Sequence, residues 1–162
     1  VRILVIGYGN TLRRDDGAGI KAAEAVQSLG LPDVEVLVTH QLNPELAEEL
    51  AQVDVAIFLD AGAGCERNSV SVKEVTPRSG ATSIAHTGDP GYLLYLSKLA
   101  YGAAPKAWMV TIAATDFALG EGLTGPTARA VAEATDIVQR ICRTGTFQGN
   151  DLPTFTAHNP SR

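Results

Sequence analysis

Short apolar runs alternate along the chain with longer segments in which apolar residues recur every three or four positions. That alternation is the pattern of a parallel sheet wrapped by helices. Arg2 to Gly7 predicts the first strand, and Ile20, Ala23 and Val26 mark the inner face of a helix that begins near Asp16 and stops at Gly30. Val34 to His40 predicts a second strand. Asn43 is placed to cap a following helix that reaches Val53, with Pro44 in its first turn and Glu45 early in it. The run VAIFLDA is uniformly apolar up to Asp60, as expected of a strand buried on both faces.

The segment SVSVKEV alternates apolar and polar residues and reads as a short edge or antiparallel strand. In GDPGYLLYLSKLAYG, Asp89 can cap a helix, Pro90 takes the first position and Gly102 ends it. KAWMVTIAA predicts the last strand, and a final helix spans Gly125 to Arg143, with Val131, Ala134 and Val138 inward. The expected architecture is a three-layer α/β/α sandwich around a mostly parallel, twisted sheet of about five strands. One α/β domain is expected over residues 1–144, followed by a polar tail over 145–162.

A chain of 162 residues is long enough to bury a core of its own. Its net charge of −5 argues against nucleic acid as the main partner, because such binding needs clustered Lys and Arg. No window approaches the ~18 apolar residues of a membrane span, and no secretion signal is recognisable at the start. A cytoplasmic monomer is the expectation. The two cysteines, Cys65 and Cys142, lie far apart without a CxxC spacing, so a disulfide framework and a structural zinc site are both unexpected. Cys142 falls in a helical pattern and is expected to be buried, whereas Cys65 lies in a loop.

Candidate chemistry gathers at the carboxyl ends of the strands, where open α/β sheets bind ligands. The loop GYGNTLRRDDGAG leaves the first strand with two adjacent carboxylates, Asp15 and Asp16. Gly7 and Gly9 begin a GxGxxG phosphate cradle, but Leu12 holds the third glycine's place and the acidic pair would repel a phosphate. Asp60 ends the third strand on the same sheet edge, with a plain helix cap or loop acceptor as its alternative role. His86, in SIAHTGDP, stands on a loop that can reach that edge. The His86 imidazole with two carboxylates from Asp15, Asp16 and Asp60 would make a mixed N/O donor set suited to a divalent first-row metal. Asp15 can be a solvated neighbour of Asp16 or a support for the turn. His40, at the end of the second strand, is a weaker candidate, and His158 sits in the polar tail.

Two resemblances follow from these residues. An acidic pair after the first strand and an aspartate after the third resembles a response-regulator receiver, with Asp60 as phosphoacceptor. That family's lysine at the end of the last strand is missing, since Lys106 stands at the start of this one. The chain more closely resembles the hydrogenase maturation endopeptidases. Their G-x-G-N-x-L-x-x-D-[DE]-x-x-G loop is matched by Gly7, Gly9, Asn10, Leu12, Asp15, Asp16 and Gly19. LeuAspAla at 59–61 and His86 follow in order, and the similarity continues through HQLNPELAEEL and GEGLTGPTARAV.

That resemblance implies a protease that removes the C-terminal extension of a [NiFe] hydrogenase large-subunit precursor after nickel insertion. It places the metal-binding residues on Asp16, Asp60 and His86, the metal being nickel supplied by the precursor. Catalysis would then run through polarisation of the scissile carbonyl by the metal or through general-base action of Asp16 or Asp60. No HExxH helix or GxSxG elbow occurs to suggest a zinc-peptidase or serine triad instead.

Overall fold

The computed structural model describes residues 1–63, 69–80 and 88–149. Cys65, His86 and His158 lie outside the described residues, as does most of the expected tail.

Five strands form one sheet: β1 (Ile3–Tyr8), β2 (Val34–Thr39), β3 (Val55–Gly62), β4 (Val70–Val75) and β5 (Lys106–Ala113), in the order β2-β1-β3-β5-β4. All neighbours run parallel except β4 and β5, so the alternating segment is an antiparallel edge strand. Its alternation is the sign of a strand whose two faces see different surroundings, and an edge position satisfies it. The order also separates the chain from the receiver topology, in which the strands run 2-1-3-4-5. Lys106 opens β5 at the amino end of the sheet, paired with Val55, and its ammonium lies 5.4 Å from the Trp108 ring centre.

The helices are α1 (Ala18–Ser28), α2 (Leu46–Leu50), α3 (Pro90–Tyr101) and α4 (Gly125–Thr144). Side chains alternate across each strand, which splits the interior into two cores. Val5, Ile57, Leu59, Val110 and Ile112 face α1 and α4. Leu4, Ile6, Ala56, Phe58 and Ala107 face α2 and α3. The central strands are thus apolar on both sides, which explains their unbroken hydrophobic runs.

Two helix starts differ from the sequence expectation. A 3-10 turn over Arg14–Gly17 precedes α1, so Asp15 and Asp16 sit ahead of the α-helix. The second helix is only five residues long, with Glu45 at its N-cap position and no side-chain cap. Asn43 instead lends its carbonyl to the Leu46 N–H. In α3, Asp89 does cap, its carboxylate accepting the Gly91 N–H at 3.0 Å. Cys142, on α4, is half-buried, and burial pushes its thiol up to about 11. Past α4, Phe147 packs edge-on against Trp108, ring centres 6.1 Å apart.

Candidate active site

β1 has β2 on one side and β3 on the other, so the chain leaves the top of β1 at a topological switch point. Two features bring the loop after β1 down onto the strand ends. A Cβ on Gly19 would collide with the Leu59 carbonyl and lie 2.8 Å from the Tyr8 carbonyl. A side chain on Gly9, whose φ is +141°, would run into the Asp16 carbonyl. Only glycine allows both approaches. They seat the Asp16 segment directly over the ends of β1 and β3.

The two loop aspartates have separate surroundings. Asp15 is fully buried. Its carboxylate accepts backbone N–H bonds from Thr115 at 3.1 Å, Asp116 at 3.0 Å and Thr124 at 2.8 Å, and the Thr124 hydroxyl at 2.9 Å. Burial opposes its charge, but these donors prevail and hold the carboxyl well below the usual carboxylate range. Asp15 therefore ties the first loop to the segment between β5 and α4. Asp16 is partly exposed and accepts the Asn10 N–H at 2.9 Å. That bond closes the loop on itself and fixes the Asp16 carboxylate at its mouth. The Asn10 side chain accepts the Leu12 N–H at 2.9 Å.

Asp60, near the end of β3, lies on the α2/α3 face of the sheet. Burial pushes its carboxyl up to about 6. The Ala61 N–H opposes that rise, the Asp16 charge adds to it, and the Tyr8 hydroxyl opposes it. The structure thus brings Asp16 and Asp60 into electrostatic contact across the switch point. Tyr8 shares the environment: burial first, then the Asp60 charge, hold its hydroxyl far above the usual tyrosine range. It keeps its proton and presents it to Asp60, while its oxygen sits 3.9 Å from Met109 Sδ.

His40 is exposed just past β2. Among the described residues no group of three or more His, Cys, Asp and Glu side chains is placed to hold a metal ion. Tyr8 was not legible as a site residue, although its signal was present. Strand alternation puts residues 4, 6 and 8 on one face, and the register carries that row to Asp60.

The chain is a doubly wound α/β protein with a pair of carboxylates at its switch point. Within that class it has the fold of hydrogenase maturation endopeptidases. The hydrogenase maturating endopeptidase HybD from E. coli superposes with a TM-score of 0.74 at 23% identity, over 90% of this chain and 94% of that one. The [NiFe] hydrogenase maturation protease HycI from Thermococcus kodakarensis gives 0.70 at 20% identity, over 88% and 92%. HybD from the same organism gives 0.66 at 20% identity, over 88% and 99%. No family model and no curated protein matches the sequence.

Proposed function

We propose that this protein is an endopeptidase that removes the C-terminal extension of a [NiFe] hydrogenase large-subunit precursor once nickel has been inserted. The pairing of Asp16 with Asp60 at the switch point of the fold shared with HybD and HycI carries this reading. We assign the metal-contacting set as Asp16, Asp60 and His86, and the nickel as part of the substrate. The two carboxylates suit such a contact, because a cation between them relieves the repulsion that each imposes on the other. An N/O donor set of this kind fits a divalent first-row ion.

The precursor's nickel would supply a positive charge beside the scissile carbonyl. This chain's own residues handle the proton. The Asp60 carboxylate is placed to take a proton from an attacking water and return it to the leaving amine. The Tyr8 hydroxyl orients the Asp60 oxygens, and the Asn10 N–H holds Asp16 in place. We place the enzyme in the cytoplasm as a monomer; no helix among the described residues is long and apolar enough to cross a membrane.

The test is cleavage of purified large-subunit precursor with and without nickel. A shortened product is expected only from the nickel-loaded form. Asp16→Asn, Asp60→Asn and His86→Ala should each abolish it while leaving the circular dichroism unchanged. Normal processing by all three variants would sink the assignment.

A further inference from the structure

A cavity of about 420 Å³ lies on the α2/α3 face of the sheet, and neither Asp16 nor Asp60 lines it. Its walls carry both signs of charge, Lys73 and Arg78 against Glu74 and Asp89, around Val75, Pro90 and Met109. Sheet register relates it to the site. Asp60 pairs with Thr111 and Thr111 with Ser71, while Phe58 pairs with Met109 and Met109 with Lys73. Residues paired in register project from the same face. The row Asp60–Thr111–Ser71 therefore lies directly above the row Phe58–Met109–Lys73, all on the α2/α3 face. Met109 joins cavity and site, since its sulfur touches the Tyr8 hydroxyl that faces Asp60.

The cavity is built rather than incidental. The Arg78 N–H donates to the Gly91 carbonyl at 3.0 Å, which holds the segment after β4 against the first turn of α3. Charge decides what it accepts. Asp89 is already engaged, accepting the Gly91 N–H and facing Arg78 Nη2 at 3.7 Å. Glu74 pairs with Trp108, so alternation sends its side chain to the opposite face of the sheet. Lys73 has no ion pair among the described residues, and the Arg78 side chain is 75% exposed. An apolar pocket of Val75, Pro90 and Met109 is left with Lys73 as the one cation of its rim that has no ion pair among the described residues, beside an Arg78 that faces Asp89.

We propose that this cavity is a peptide subsite that takes an apolar side chain next to a carboxylate, with Lys73 and Arg78 receiving the carboxylate. The assignment rests on the endopeptidase reading and adds a sequence preference to it. Lys73 stands two strands across and one row below Asp60, roughly 12 Å away, and an extended peptide advances about 3.3 Å per residue. The carboxylate therefore belongs about three or four residues from the bond to be cut. It can be an acidic side chain or the peptide's own terminus.

Met109 is the only methionine in the sequence, so [methyl-13C]methionine gives one reporter resonance inside the cavity. The full chain is titrated with Ac-Ala-Leu-Glu-NH2, Ac-Ala-Leu-Gln-OH and the neutral Ac-Ala-Leu-Gln-NH2. At least one carboxylate peptide should shift the resonance saturably, and which one does identifies the source. The neutral peptide should bind roughly tenfold more weakly; Lys73→Gln and the exposed Arg78→Gln should each shrink that difference, and the two together should erase it. No shift with any peptide overturns the subsite, and equal binding of the neutral peptide overturns the role of the cations. Neither readout requires cleavage, so a failure to process precursor would count against the proposed function alone.

Discussion

Asp15 and Thr124 are 109 residues apart in sequence, yet the Asp15 carboxylate accepts both the backbone N–H and the hydroxyl of Thr124. Thr124 is the N-cap position of α4 without capping it through its own side chain. Its hydroxyl is turned toward Asp15 and lies 3.2 Å from that of Thr127, which in turn donates to the Ala113 carbonyl at 3.0 Å. The loop bearing Asp16 is thereby fastened to the end of β5 and the start of α4 through one buried carboxylate. Adjacent residues have divided the work: Asp15 anchors and Asp16 faces the site.

Removing that anchor should be costly. Asp15→Ala leaves the N–H groups of Thr115, Asp116 and Thr124 without their acceptor, and buried donors lost in this way cost about 3 kcal/mol or more together. Asp15→Asn keeps the shape but turns an amide NH2 toward groups that already donate, so it should lose nearly as much. The pH dependence has a definite sign. A carboxyl held below its unfolded value contributes stability that is complete above about pH 4 and declines as pH falls toward the folded value. Urea unfolding should show this acid limb in the native chain and a flatter one in Asp15→Asn. An unchanged midpoint at pH 7 would refute the role.

Asp60 should behave in the opposite sense. Its folded value of about 6 lies above the unfolded one, so the free protein loses stability as pH rises from about 4 through 6. Discounted for partial exposure, the cost at pH 8 is on the order of 1–2 kcal/mol. Asp60→Asn should therefore raise the urea midpoint at pH 8 and leave it nearly unchanged at pH 4. A residue kept for chemistry at the expense of the fold predicts that gain; a purely structural Asp60 predicts a loss.

How far the sequence discloses this site depends on what each signal records. The apolar runs of β1, β3 and β5 are legible because burial on both faces leaves only one composition. The edge character of β4 is legible as well, from its alternation, but its neighbour is not, because two unlike faces do not say which strand it pairs with. Asp60 is legible from its position at the end of a buried run. The anchoring role of Asp15 is not, because its partners come from Thr115, Asp116 and Thr124 and most are backbone N–H groups. No residue type advertises such a donor. Tyr8 and Met109 are visible only once the register aligns β1, β3 and β5.

Arg14 offers a test of strain against charge. Its φ is 46°, in the left-handed region, and its guanidinium faces Asp116 at 3.2 Å with its side chain 45% exposed. An exposed pair of this kind contributes about 0–1 kcal/mol, and a left-handed non-glycine residue costs roughly 1 kcal/mol. Arg14→Gly should lose the pair and relieve the strain, leaving the melting temperature within a degree or two of the native chain. Arg14→Ala loses the pair and keeps the strain, so it should melt measurably lower. Equal melting of the two variants would show that the backbone at this position carries no strain.

Gly19 connects fold and site most directly. A methyl group there meets the Leu59 and Tyr8 carbonyls, which belong to the strands that carry Asp60 and Tyr8. These are backbone atoms in the middle of the sheet and cannot rotate away, so α1 must lift instead. Overpacking of this kind costs about 2–3 kcal/mol. Because Asp16 precedes α1 by one short turn, lifting the helix also carries it away from Asp60. The Asp16 charge contributes to the raised Asp60 carboxyl, so separation should bring that carboxyl down. Gly19→Ala should lower the melting temperature and, in the fraction that remains folded, shift the Asp60 titration followed by carboxyl NMR toward acid. A destabilised variant whose Asp60 still titrates at about 6 would show that the helix yields without moving the loop.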